Sequence, residues 1–208
     1  MEHTIAAIST AFGEGGIGIV RISGEHARRI LSNVFVPAKS AIVNRRLTYG
    51  TIVDSSSGQI LDEVLAVYMK APYTYTTEDV VEIHCHGSVV ALRKVLDLVL
   101  RQGAMLAEPG EFTKRAFLNG RLDLTQAEAV IDMIRAKTDK SFDVAMDQLS
   151  GAVSSEINDI RSRLKNELVM LAVNIDYPDE DVEEVTYENL IESLLLIDDS
   201  IEKLIVSA

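Results

Sequence analysis

Beyond Pro109-Gly110 the apolar residues of this chain change period, and that change restricts the fold more than any other feature. Leu149, Val153, Ile157, Ile160, Leu164, Leu168, Leu171 and Ile175 recur at steps of three and four. The spacing predicts one long amphipathic helix, ended near Asp176-Tyr177-Pro178. Leu190, Leu194, Ile197, Ile201 and Leu204 repeat the rhythm, and two such stripes are expected to bury each other as an antiparallel pair. Ahead of them, Glu111–Leu118 reads as a short helix stopped by Asn119-Gly120. Thr125-Gln126-Ala127-Glu128 has the spacing of a capping box that opens another helix. The last stripe runs to Ala208 with neither a glycine stop nor a polar tail, so the chain is expected to belong to something longer.

Before that boundary the period is two. Thr4–Ser9 and Ile17–Ile22 are strand-like, and the Gly-rich stretch between them reads as a flexible connection. Residues 25–34 place Ala27, Ile30, Leu31 and Val34 on one helical face. The runs 47–53 and 60–69 flank a Ser/Gly turn and predict a hairpin; Val80–Cys85 is a further strand, and a helix follows from Gly87 to about Arg101. Strands and helices mix without a strict β-α-β rhythm, so the expected class is α+β: a mixed α/β domain over 1–118, then an all-α region with long antiparallel helices over 119–208.

Charge sharpens the division. Residues 1–118 hold 12 Lys+Arg and 12 Asp+Glu, whereas 119–208 hold 8 and 20, so the net charge of −12 lies entirely in the helical part. A surface so acidic repels phosphate backbones, so the helical part alone is expected to grip nucleic acid poorly. Cys85 is the only cysteine, which excludes an internal disulfide and fits a reducing compartment. No signal-peptide pattern opens the chain, and no uncharged apolar run approaches the ~18–20 residues that span a bilayer. A soluble, cytoplasmic protein without membrane contact is expected.

Four constellations could carry chemistry. Gly13-Glu14-Gly15-Gly16-Ile17-Gly18 matches the dinucleotide pattern G-x-G-x-x-G, but that motif works by opening a helix, and here the glycines lead into a strand. No G-x-x-x-x-G-K-[ST] occurs, so this stretch of chain should not hydrolyse GTP. Arg21 lies in a strand apolar on both faces, sharing a face with Ile17 and Ile19, and Glu82 shares one with Val80, His84 and His86. Such charges are costly unless met. They form structural ion pairs, or they line a pocket where Arg meets a carboxylate and Glu meets the parallel N–H donors of a cyclic amidine. His84-Cys85-His86 puts two imidazoles on one face and the thiol on the other, which leaves too few converging ligands for zinc and makes Cys85 a buried structural thiol. Arg121, after the Asn119-Gly120 turn, reads either as an exposed loop cation or as a side chain reaching back across the domain junction.

Four segments together resemble one family. Gly-Gly-Ile-Gly-Ile-Val-Arg-Ile-Ser-Gly (15–24), Glu-Asp-Val-Val-Glu-Ile-His-Cys-His-Gly (78–87), Pro-Gly-Glu-Phe-Thr-Lys-Arg-Ala-Phe-Leu-Asn-Gly-Arg-Leu-Asp-Leu-Thr-Gln-Ala-Glu-Ala (109–129) and Asp-Tyr-Pro-Asp-Glu (176–180) are similar, in order, to the tRNA-modifying GTPase family called MnmE or TrmE. The resemblance implies an N-terminal domain like the tetrahydrofolate-binding domains of aminomethyltransferases, dimerising and binding 5-formyl-tetrahydrofolate or another one-carbon tetrahydrofolate. It implies Arg21, Glu82 and Arg121 as folate ligands; some members carry Lys at the last position, keeping the charge but not the fork. It further implies that GTP, Mg and K belong to a GTPase domain not contained in these residues. The family's full enzyme acts with the flavoprotein MnmG (GidA) to place an aminomethyl-type group at C5 of the wobble uridine of tRNA. The competing expectation is a stand-alone dimerisation or interaction module whose folate pocket is vestigial.

Overall fold

A computed structural model of the chain describes residues 3–11, 13–39, 41–176 and 187–207. They form two compact units, divided between Leu122 and Asp123. That is four residues past the division expected at 118, because the backbone N–H groups of Arg121 and Leu122 both turn back to the carbonyl of Ala116. The class is α+β.

The first unit is built on a seven-stranded sheet: β1 (Ile5–Ile8), β2 (Gly15–Ser23), β3 (Phe35–Pro37), β4 (Thr48–Asp54), β5 (Gln59–Met69), β6 (Val80–Gly87) and β7 (Met105–Leu106). The spatial order is β3-β4-β5-β6-β2-β1-β7, antiparallel throughout except where β7 joins β1 in parallel. Two helices, α1 (Ala27–Val34) and α2 (Val89–Arg101), supply Ile30, Leu31, Val95, Leu98 and Val99 to a core shared with Val20, Ile22, Val81, Ile83 and Ala66. Each fully buried Leu or Ile there contributes roughly 1.5–3 kcal/mol. Because side chains alternate along a strand, all the charged candidates on β2 and β6 fall on the other face.

The glycines of the false dinucleotide motif lie largely inside β2 rather than in the connection before it. Gly18 has a packing reason: a Cβ there would stand 2.4 Å from Leu92 Cδ1, so the Leu92 side chain of α2 rests directly on the glycine backbone and would have to shift for a larger residue. The glycines open a strand rather than the helix a dinucleotide site would require, and α1 begins only at Ala27. Strands β3 and β7 escaped the sequence reading because two or three residues are too few to display a period.

The second unit is helical: α4 (Leu124–Arg135), α5 (Asp139–Leu149), α6 (Ala152–Asp176) and α7 (Tyr187–Ser207); α3 (Glu111–Leu118) belongs to the first. Two expectations need correction. Leu149 ends α5 instead of opening the long helix, because Gly151, at φ 89°, breaks the chain between α5 and α6. The capping box is also two residues earlier than Thr125 and Glu128: the Asp123 carboxylate accepts from Gln126 N–H at 2.9 Å, and Gln126 Oε1 accepts from Asp123 N–H at 3.0 Å. Thr125 instead donates its hydroxyl to Asp123 at 2.7 Å.

The pair α6–α7 is antiparallel, since Arg163 reaches Ser200 while Glu167 accepts from Ser193. Its stripes bury one another only in part. Ile197 is buried, but Leu168, Ile175, Leu194 and Ile201 remain exposed. Residues 177–180 of the fourth family-like segment, and the helix stop at Tyr177-Pro178, lie outside the described residues.

Candidate functional site

Arg21 and Glu82 are direct cross-strand partners on β2 and β6. Arg21 Nε donates to Glu82 Oε1 at 2.9 Å, and a terminal guanidinium nitrogen stands 2.8 Å from the same oxygen. The pair is half-buried, with side chains 27% and 18% exposed. Glu82 Oε2 has a looser neighbour, His84 Nε2 at 3.4 Å. The structural ion pair foreseen for these residues is thus formed between them, and one oxygen of the carboxylate is left lightly engaged.

The rest of the surroundings comes from segments far away in sequence. The Arg21 guanidinium lies 5.6 Å from the ring centre of Tyr75 and 5.7 Å from that of Phe112, distances at which a cation is drawn to an aromatic face. Arg121 stacks on the same Tyr75 ring at 4.8 Å and donates to the Tyr75 carbonyl at 3.1 Å. One tyrosine therefore joins Arg21 and Arg121, and Glu82 is attached to it only through Arg21. Sequence reasoning missed it, along with Phe112 and Thr113, whose hydroxyl pairs with that of Tyr75 at 2.9 Å. The signal available was two tyrosines in the unperiodic stretch before β6, which only a three-dimensional placement turns into a site.

That stretch is firmly tied down. Asp79 accepts from the Tyr68 hydroxyl at 2.8 Å and from Ala71 N–H at 2.9 Å. Ser23 bonds both Thr76 and Glu78 at 2.6 Å, and Asn119 donates its side-chain amide to the Thr76 carbonyl at 2.7 Å. Arg115, only 5% exposed, donates to both oxygens of Glu78, to Glu111 and to the His3 carbonyl. A buried guanidinium so fully satisfied fixes geometry more than it adds stability. It locks α3, which carries Phe112 and Thr113, to the segment that carries Tyr75.

The other candidates settle differently. Cys85 is 2% exposed, and burial, with the charge of Asp62, pushes its thiol up to about 12, so it stays protonated and unreactive. His86 Nδ1 lies 2.6 Å from Asp62, while His84 faces Glu82, so the two imidazoles are directed to different carboxylates. The hydrogen bond and charge of Asp62 raise the pKa of His86 above the ordinary histidine value. Among the described residues, no group of His, Cys, Asp and Glu is arranged to hold a metal ion. Nor is any helix there long and apolar enough to cross a membrane.

These features define a class: an α+β domain with an acid–base pair and aromatic rings on the sheet face opposite α1 and α2, followed by a helical region. Comparison with known families narrows it. Residues 4–121 match the GTP-binding protein TrmE N-terminus, and residues 124–208 match the MnmE helical domain. The chain is 54% identical over 211 residues to the tRNA modification GTPase MnmE of Carboxydothermus hydrogenoformans, aligning all of this chain with 46% of that protein. It is 51% identical to the protein of the same name from Alkaliphilus metalliredigens, again covering all of this chain and 46% of the relative. The Bacillus subtilis protein is 50% identical over 97% of this chain and 45% of its own length. The chain belongs to the MnmE (TrmE) family of tRNA modification GTPases. It spans a little under half the length of these relatives.

Proposed function

We propose that this chain is the folate-binding and dimerising portion of a tRNA modification GTPase. A one-carbon tetrahydrofolate is held on the open sheet face by Glu82, Arg21 and Arg121. The observation that carries the reading is the convergence of Arg21 and Arg121 on the Tyr75 ring, beside a carboxylate with one lightly engaged oxygen.

The residues suit such a ligand chemically. A carboxylate offers about four acceptor directions, so Glu82 can keep Arg21 on Oε1 and still take N–H donors of a cyclic amidine. The Arg121 guanidinium suits a carboxylate of the ligand's tail, Arg21 steadies Glu82 beneath the heterocycle, and the rings of Tyr75 and Phe112 give flat apolar surface. When bound, the folate supplies the one-carbon unit. The chain's own residues bind and orient it. Exposed Ile17, Tyr49 and Leu65 on the same sheet face support self-association as a homodimer. In the whole protein, GTP hydrolysis with Mg and K would belong to a domain outside these residues. The partners would be MnmG (GidA) and tRNA, and the product an aminomethyl-type group on the wobble uridine.

Calorimetric titration of 5-formyl-tetrahydrofolate into the purified chain tests the reading. Saturable binding is expected. A folded, dimeric chain that takes up no folate would favour the alternative, an interaction module with a vestigial pocket.

A further inference from the structure

Beside Tyr75 lies a cavity of about 580 Å³, walled by Arg45, Tyr73, Tyr75, Thr77, Asn119 and Arg121 among others. Among the described residues, no acidic side chain lines it. Its two cations differ from their neighbours in the first unit. Arg21, Arg101 and Arg115 each meet a carboxylate, whereas Arg45 is bonded to the Tyr73 carbonyl, and Arg121 to the carbonyl and ring of Tyr75. Among the described residues, neither has a carboxylate partner. Two guanidinium groups on one concave, acid-free surface make a site for an anion carrying more than one carboxylate.

The backbone points the same way. Arg45 and Thr77 both line this cavity and both sit at φ 61°, a left-handed conformation that non-glycine residues adopt at a cost of about 1–3 kcal/mol and that is concentrated at ligand clamps. The strain is held by Arg45 N–H donating to the Tyr68 carbonyl at 2.7 Å, and by the Thr74 hydroxyl on the Glu78 carbonyl at 2.6 Å.

We propose that this cavity receives the γ-linked polyglutamate tail of the folate, with Arg121 taking the first carboxylates and Arg45 those added by a longer tail. The inference rests on the reading of Glu82 and Arg21 as the seat of the heterocycle. Tyr75, which borders both places, is where the two halves of the ligand would join.

The test compares three probes by calorimetry: tail-less 5-formyl-tetrahydropterin, 5-formyl-tetrahydrofolate with one glutamate, and its pentaglutamate. Exposed ion pairs being modest, the pentaglutamate should bind about threefold to fivefold more tightly than the monoglutamate. The ratio should shrink as salt is raised. In Arg45→Asn, which removes the charge but tolerates the left-handed backbone, the ratio should fall to about one; Arg45→Lys should restore most of it. Equal affinity for both tail lengths, or a ratio that survives Arg45→Asn, overturns the tail site and leaves the heterocycle site standing. Failure of all three probes to bind overturns both.

Discussion

Replacing Glu82 by Gln separates a binding carboxylate from a purely structural one, because the two roles predict opposite balances between stability and affinity. The pair with Arg21 is 27% and 18% exposed, between a surface ion pair at roughly 0–1 kcal/mol and a fully buried one whose rupture costs about 3–5 kcal/mol. Arg21 would not be stranded by the change, since the Tyr75 and Phe112 rings at 5.6 and 5.7 Å remain and water reaches the site. Gln also keeps the volume and one acceptor. The loss in the ligand-free chain is therefore about 1 kcal/mol, or about 2–4 °C in Tm. Binding should suffer more. The amide presents N–H where the ligand's own N–H groups arrive, so two charge-assisted hydrogen bonds are lost. That costs roughly 2–4 kcal/mol, about 30-fold to 1000-fold in Kd. Differential scanning fluorimetry without ligand and calorimetry with 5-formyl-tetrahydrofolate give the two numbers. A Tm drop beyond about 8 °C with Kd nearly unchanged would refute the assignment and make Glu82 a structural partner of Arg21.

Two further outcomes follow from the local chemistry. In the helical unit, Asp123→Ala should destabilise by about 1 kcal/mol in a chemical melt while Glu128→Ala stays within about 0.5 kcal/mol, since only Asp123 caps α4. Burial pushes the Asp123 carboxyl up, but hydrogen bonds from Ser154, Gln126 and Thr125 outweigh it and hold the pKa below the usual value. Its contribution is therefore present above the ordinary carboxylate range and lost as pH falls through the lowered value. His86 runs the other way. Its pKa is raised by Asp62, so its contribution is complete below the ordinary histidine value and lost as pH rises through the raised one. An NMR titration should place His86 above 6.5 in the wild type and return it towards 6.5 in Asp62→Asn.

Most of the fold could be read from periodicity because the long elements display it. The strands β2, β5 and β6 and the helices α1, α2 and α3 fall within a few residues of their expected bounds. The misreadings share one cause. Leu149 continues the apolar rhythm of α6, yet it precedes a glycine whose backbone no helix continues through, and a stripe of side chains carries no record of backbone φ. Thr125 and Glu128 have the spacing of a capping box, but so do Asp123 and Gln126. Asp123 prevails because its carboxylate also receives the Ser154 and Thr125 hydroxyls, the former from another helix. Local pattern alone cannot weigh a tertiary hydrogen bond.

At the site, the two sequence readings of Arg21 and Glu82 turn out to be compatible. A guanidinium in an apolar strand needs an anion, and Glu82 is that anion; the cross-strand register makes the match. A satisfied pair would ordinarily argue against a pocket. Here the bonds to Arg21 use a single oxygen, while Oε2 faces only an imidazole nitrogen at 3.4 Å, and the far side of the guanidinium rests on two aromatic rings. On the proposed reading, ligand donors enter on Oε2 without evicting Arg21, and the same pair that neutralises the strand charge orients the carboxylate. What composition and alternation could not reveal is Tyr75, 54 residues from Arg21 and 46 from Arg121, held in place by the buried Arg115–Glu78 contact. Arg21 and Arg121 are brought together only through that ring, so the proposed site depends on a residue whose sequence signal is a pair of tyrosines in a stretch without period.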